Sequence, residues 1–104
     1  MTRRVATFGR RRHLVAYDIT DDGRRTRVFN TLNGYGRRMQ YSVFVCDLSE
    51  QERIRMIWDL EDLIEPFVDR VMIVDLGDPG GRGTSCFRFL GAPPDLPTGG
   101  VDIV

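Results

Sequence analysis

With 104 residues, 41% hydrophobic and 29% charged, the chain reads as one soluble domain long enough to bury a core without disulfide or metal staples. No apolar run approaches a membrane span, and Met1-Thr2-Arg3-Arg4 is not followed by the apolar stretch of a secretory signal, so a cytoplasmic protein is expected. The formal charge is zero but uneven: residues 1–41 stand at +7 and residues 42–104 at −7, which predicts a basic surface on a neutral molecule.

Residues 1–12 are basic and lack hydrophobic period, which predicts a flexible arm. The apolar run 13–19 predicts the first strand, with the single carboxylate of Asp18 near its end. Thr20, Asp21 and Asp22 then offer helix-capping oxygens. The helix expected over about 22–35 places Val28, Phe29, Leu32 and Tyr35 on one face and Arg24, Arg27 and Thr31 on another, with Gly34 and Gly36 at its end. Residues 38–48 are aromatic and β-branched, and form one long strand or two short ones joined by a tight bend. Ser49-Glu50-Gln51-Glu52 matches a capping box and opens a helix to about residue 64, with Ile54, Ile57, Trp58 and Ile64 expected to face the core and Pro66 to stop it. Residues 71–76 predict a strand, residues 77–83 a flexible turn, and residues 86–90 a returning strand that completes a hairpin. A Pro/Gly-rich linker over 91–100 leads to a short apolar strand, Val101–Val104.

Two helices alternating with strands predict an α+β ferredoxin-like sandwich, βαββαβ, with an additional C-terminal strand. The domain is expected over 13–92, and residues 93–104 as linker and strand, the strand pairing with its own sheet or with a second protomer's edge.

Chemically, an isolated carboxylate such as Asp18 needs a partner, a cation or an exposed strand end. It either caps the following helix, pairs with an arginine, or holds a divalent cation; one carboxylate per chain is too few for Mg²⁺, but a two-fold dimer axis near this strand end supplies two. All fifteen cations are arginine, whose planar fork suits phosphate, although a GC-biased genome produces the same usage. Backbone binding with a strong salt response is the expected mode. Tyr17, Tyr35, Tyr41 and Phe44 are able to stack on bases, but each is better explained as core or interface. Cys46 and Cys86 form no CxxC pair and His13 is the only histidine, so the cysteines read as buried thiols rather than zinc ligands. The run 77–83 lacks the G-K-[ST] ending of a phosphate-binding loop, and no G-x-S-x-G is present.

Three blocks stand out: Val15-Ala16-Tyr17-Asp18-Ile19 followed by Asp21-Asp22 and the helix opening Arg24-Arg25-Thr26-Arg27-Val28; Tyr35-Gly36-Arg37-Arg38-Met39-Gln40-Tyr41-Ser42-Val43-Phe44; and the acidic-capped helix beginning at Ser49. Together they resemble the small CRISPR-associated spacer-acquisition proteins, the Cas2 family. The resemblance covers about residues 13–76. It implies a homodimer whose terminal strand lies on the partner's sheet, with Asp18 of each protomer as the catalytic residue and ligand of a Mg²⁺ or other divalent cation at the dimer axis. The basic first helix and the segment after it make Arg24, Arg25, Arg27, Arg37 and Arg38 the expected nucleic-acid contacts, with Tyr17 and Phe44 expected to support the dimer or site. The implied activity is metal-dependent endonuclease cleavage of RNA or DNA. The implied partners are a Cas1 integrase, protospacer DNA and single-stranded RNA, and the implied role is antiviral defence through spacer acquisition. A DNA-binding adaptor without catalysis, or an unrelated ferredoxin-like nucleic-acid-binding domain, are the alternatives. The chain departs from the family pattern in its long arm, its weakly charged turn over 77–85 and its lack of lysine.

Overall fold

The computed structural model describes residues 9–94. Four strands and three helices follow in the order β1 (Arg11–Asp18), α1 (Asp22–Asn33), β2 (Arg37–Gln40), β3 (Val43–Leu48), α2 (Glu50–Leu63), β4 (Arg70–Gly77) and the short α3 (Arg82–Ser85). The strands form one sheet in the order β2-β3-β1-β4, antiparallel at every pairing. With α1 and α2 in contact and sharing one core with the sheet, this is the expected ferredoxin-like βαββαβ sandwich.

Local chemistry accounts for the starts of α1 and α2 and for the bend between β2 and β3. Asp21 caps α1, its carboxylate accepting from the Arg24 backbone N–H at 2.8 Å. The Ser49 hydroxyl accepts from the Glu52 backbone N–H while Glu52 accepts from that of Ser49, the reciprocal capping box read from the sequence. The segment 38–48 resolves into two strands. The bend between them places Ser42 at φ 64°, a left-handed conformation rare for serine. Gly36 is required by close approach, because a Cβ there would stand 2.3 Å from the Val45 carbonyl oxygen.

The pleat sorts side chains onto two faces. Val15, Tyr17, Phe44 and Cys46 point to the helices and meet Val28, Leu32, Met56 and Leu60 in the core. Burial pushes the Cys46 thiol up to about 12, so it is an inert core group. Leu14, Ala16, Val43, Val45, Met72 and Val74 alternate with these and turn to the face without α1 or α2. At its Arg12 end α3 covers that face. Toward Asp18 it stays open, with Met72 56% and Val74 37% exposed.

Three expectations change. Arg11 and Arg12, assigned to the arm, belong to β1, and Arg12 is fully buried. Its guanidinium pairs with Asp47 at 2.7 and 2.9 Å and donates to Thr84 Oγ1 and the Gly83 carbonyl. Residues 86–90 are not a strand. The Gly81 and Gly83 N–H groups bond the Asp78 carbonyl, and α3, held by Arg12, carries the chain over the open face instead of back along β4. In α2 the core face is Met56 and Leu60, with Ile57 and Ile64 half-buried, whereas Ile54 and Trp58 are exposed. The remainder of the arm, with Arg3 and Arg4, and the strand expected at Val101–Val104 lie outside the described residues.

Candidate nucleic-acid interface and acidic site

The end of the sheet where β1 stops gathers most of the candidate residues. β1 ends at Asp18, α1 begins at Asp22, β2 and β3 meet at Tyr41-Ser42, and β4 begins at Arg70. Asp18 is exposed and points to the helix-free face, directly opposite Arg70 across the β1–β4 pairing. Its carboxylate has no ion-pair or hydrogen-bond partner among the described residues, so it does not cap α1; Asp21 does. Sequence reasoning missed Arg70, because only strand register brings it to Asp18.

Tyr17, one residue earlier, points the other way and is buried, its ring centre 6.4 Å from that of Phe44. Burial raises the Tyr17 phenol above its ordinary value. Tyr17 and Phe44 therefore brace this end of the sheet from within the core.

The five candidate arginines divide into distinct environments. Arg24 is committed: its Nε donates to Asp69 Oδ2 at 2.7 Å and its Nη2 to Oδ1 at 3.2 Å. Arg25 donates to Asp22 at 2.5 Å and to the Ile19 and Thr20 carbonyls, which hold it at the start of α1. Arg27 is exposed and has no such partner among the described residues. Arg37 stands on β2 opposite Val45. The Arg38 guanidinium lies 5.4 Å from the Phe29 ring centre and 5.6 Å from that of Tyr41, and pairs with no carboxylate among the described residues. Tyr17, Arg25, Thr26, Phe29, Arg38 and Tyr41 line an open cavity of about 180 Å³.

The basic surface expected from the charge split is smaller than the composition implies. Arg10 pairs with Glu52, Arg11 with Asp75, Arg12 with Asp47 and Arg24 with Asp69, so the basic first half and acidic second half neutralise each other inside one fold. What remains at the Asp18 end is a compact cationic and aromatic cluster.

No group of three His, Cys, Asp or Glu side chains able to hold a metal occurs among the described residues. The Asp18 carboxylate, without a partner among the described residues, offers one of the donors that Mg²⁺ takes from protein while retaining waters or phosphate oxygens. A second Asp18 from another copy would complete that donor set.

The sequence profile of the family described as CRISPR associated protein Cas2 matches residues 11–81, from the first residue of β1 to the turn after β4. The chain belongs to the Cas2 family. Among its Cas2 relatives, a CRISPR-associated endoribonuclease Cas2 of Thermodesulfovibrio yellowstonii is 37% identical over 84% of this chain and 90% of its own length. A second such endoribonuclease Cas2, of Rhodospirillum rubrum, is 48% identical over 62% of this chain, which spans 64% of that Cas2 protein's length. The crystal structure of a hypothetical protein from Thermus thermophilus superposes with a TM-score of 0.71 at 34% identity, covering 83% of this chain and 96% of that one. The Cas2 profile spans both strands that carry Asp18 and Arg70 and the helix that carries Arg25 and Arg27.

Proposed function

We propose that this Cas2 protein is a homodimeric, metal-dependent endonuclease of CRISPR spacer acquisition, in which Asp18 of both protomers holds a shared divalent cation, Mg²⁺ in the first instance. The observation that carries the reading is the setting of Asp18, a carboxylate that among the described residues has no partner and stands at the rim of an apolar sheet face with no helix over that end. A second copy laid on Leu14, Ala16, Met72 and Val74 would remove these side chains from water and bring two Asp18 carboxylates toward the axis.

Each residue then has a physical task. Two carboxylates brought together repel, and a divalent cation relieves the repulsion. When bound there, Mg²⁺ supplies an activated water for phosphodiester hydrolysis. Arg70, opposite Asp18, and Arg27, exposed on α1, provide positive charge for the phosphate backbone. Names carried by relatives, endoribonuclease and endonuclease, support hydrolysis of RNA or DNA. Protospacer DNA, single-stranded RNA and a Cas1 integrase are the proposed partners, in the cytoplasm.

The test is cleavage of matched RNA and DNA oligonucleotides with and without Mg²⁺, using wild type and Asp18→Asn. Metal-dependent cleavage by wild type alone, with both proteins dimeric in sedimentation, is the expected result. Equal cleavage by Asp18→Asn would reject the nuclease and leave the adaptor role without catalysis.

A further inference from the structure

The cavity between α1 and the β2–β3 bend has no task in the Asp18 reading, because Tyr17 and Asp18 leave β1 on opposite faces. We propose that it is a subsite for one unpaired nucleobase, with Tyr41 as the stacking platform and Arg38 beside the flanking phosphate. The proposal rests on the nucleic-acid-binding reading above and adds which part of the strand is recognised and where.

Three independent observations point to such a ligand. Tyr41 is 69% exposed, presenting its aromatic ring at a bend whose next residue, Ser42, adopts a left-handed backbone conformation. Nothing in the core requires an aromatic group there. Arg38 sits against the Phe29 and Tyr41 rings without a carboxylate among the described residues, whereas Arg10, Arg11, Arg12, Arg24, Arg25 and Arg53 each have one. A guanidinium held by rings keeps its donors available for a phosphate. Finally, the cavity of about 180 Å³ is smaller than the roughly 300–1,000 Å³ of sites that enclose a whole small molecule, and matches one planar ring.

The same features decide what is excluded. A base inside a duplex has both faces covered by its neighbours and cannot stack on the Tyr41 ring. Recognition through ring faces is tolerant of base identity, since every base offers a π-face. The subsite therefore selects unpaired over paired strands and discriminates weakly among sequences.

The experiment uses oligonucleotides carrying one 2-aminopurine, as single strands and as duplexes, in DNA and RNA versions, with fluorescence read on titration of the full-length protein. Wild type should quench the probe in single strands and leave it unchanged in duplexes, and the DNA and RNA arms show which backbone the site accepts. Tyr41→Leu, which keeps apolar bulk without the ring, should weaken single-strand binding at least about fivefold and abolish quenching. Its duplex affinity and salt slope should stay at wild-type values, and Tyr41→Phe should restore both quenching and affinity. Single-strand binding by Tyr41→Leu at wild-type strength, or equal losses for single strand and duplex, would overturn the subsite while leaving nucleic-acid binding intact. Absence of binding to every probe by wild type would overturn both readings.

Discussion

Asp69 Oδ2 accepts from Arg24 Nε at 2.7 Å and from the Glu65 backbone N–H at 2.8 Å, with the Asp69 side chain wholly enclosed. The bond ties α1 to the loop ahead of β4 across 45 residues of sequence. Arg24 is thereby a structural group, while Arg27, one turn on, is exposed and without a carboxylate among the described residues. Arg24→Gln should lower the melting temperature and leave the salt dependence of DNA binding unchanged. Arg27→Gln should do the reverse, reducing the slope of log affinity against log salt by about 0.9 on duplex DNA. Melting curves and salt titrations of the two variants side by side check the division; identical behaviour would contradict it.

The same pair sets a pH dependence. The hydrogen bond from Arg24, then that from the Glu65 N–H, holds the Asp69 carboxyl below its ordinary value. A carboxyl depressed in the folded state contributes its full stability above the unfolded value, about 3.9, and loses it as pH falls through the folded value. Asp69→Asn should therefore be less stable than wild type at pH 7, with the gap narrowing below about pH 4. Denaturant midpoints between pH 7 and pH 3 measure the gap, and a constant difference would count against the assignment.

Where local chemistry decides a feature, the sequence was a sufficient guide. The Ser49–Glu52 capping box, the apolar β1 with Asp18 at its end, and the aromatic and β-branched run over 38–48 each depend on neighbours within a few residues. Features set by distant partners were not legible. Arg12 reads as one of a basic series, and only Asp47 and Thr84, 35 and 72 positions away, make it a core group. In α2 both the Met56-Leu60 row and the Ile54-Trp58 row are apolar at helical spacing, so periodicity alone could not say which faces the sheet. The fold's end differs for a related reason, because the local bonds of the α3 turn are joined by an anchor on the distant Arg12. In the candidate site, Asp18 was legible as an acid out of place. Arg70 and the cavity around Tyr41 depend on register and on packing between elements.

Arg12 and Asp47 offer a direct stability test. Asp47→Ala leaves a fully enclosed guanidinium with Thr84 and Gly83 as its partners among the described residues, which should cost about 3–5 kcal/mol. The double variant Arg12→Met with Asp47→Leu replaces both charges by apolar groups of similar bulk and should recover much of that loss. Chemical denaturation of the single and double variants measures both terms. A single variant as stable as wild type would show that the pair does not hold α3 against the sheet.

The central claim is that one site is built from two chains, and mixed dimers test it most directly. Wild type and Asp18→Asn, unfolded and refolded together in equal amounts, should give a quarter wild-type, a half mixed and a quarter variant dimers, roughly, if neither pairing is favoured. If both Asp18 carboxylates are needed at one cation, Mg²⁺-dependent cleavage by the mixture should be about one quarter of that of the same total of wild type. Cleavage at about one half would mean that each protomer works with its own Asp18, and would contradict the shared site.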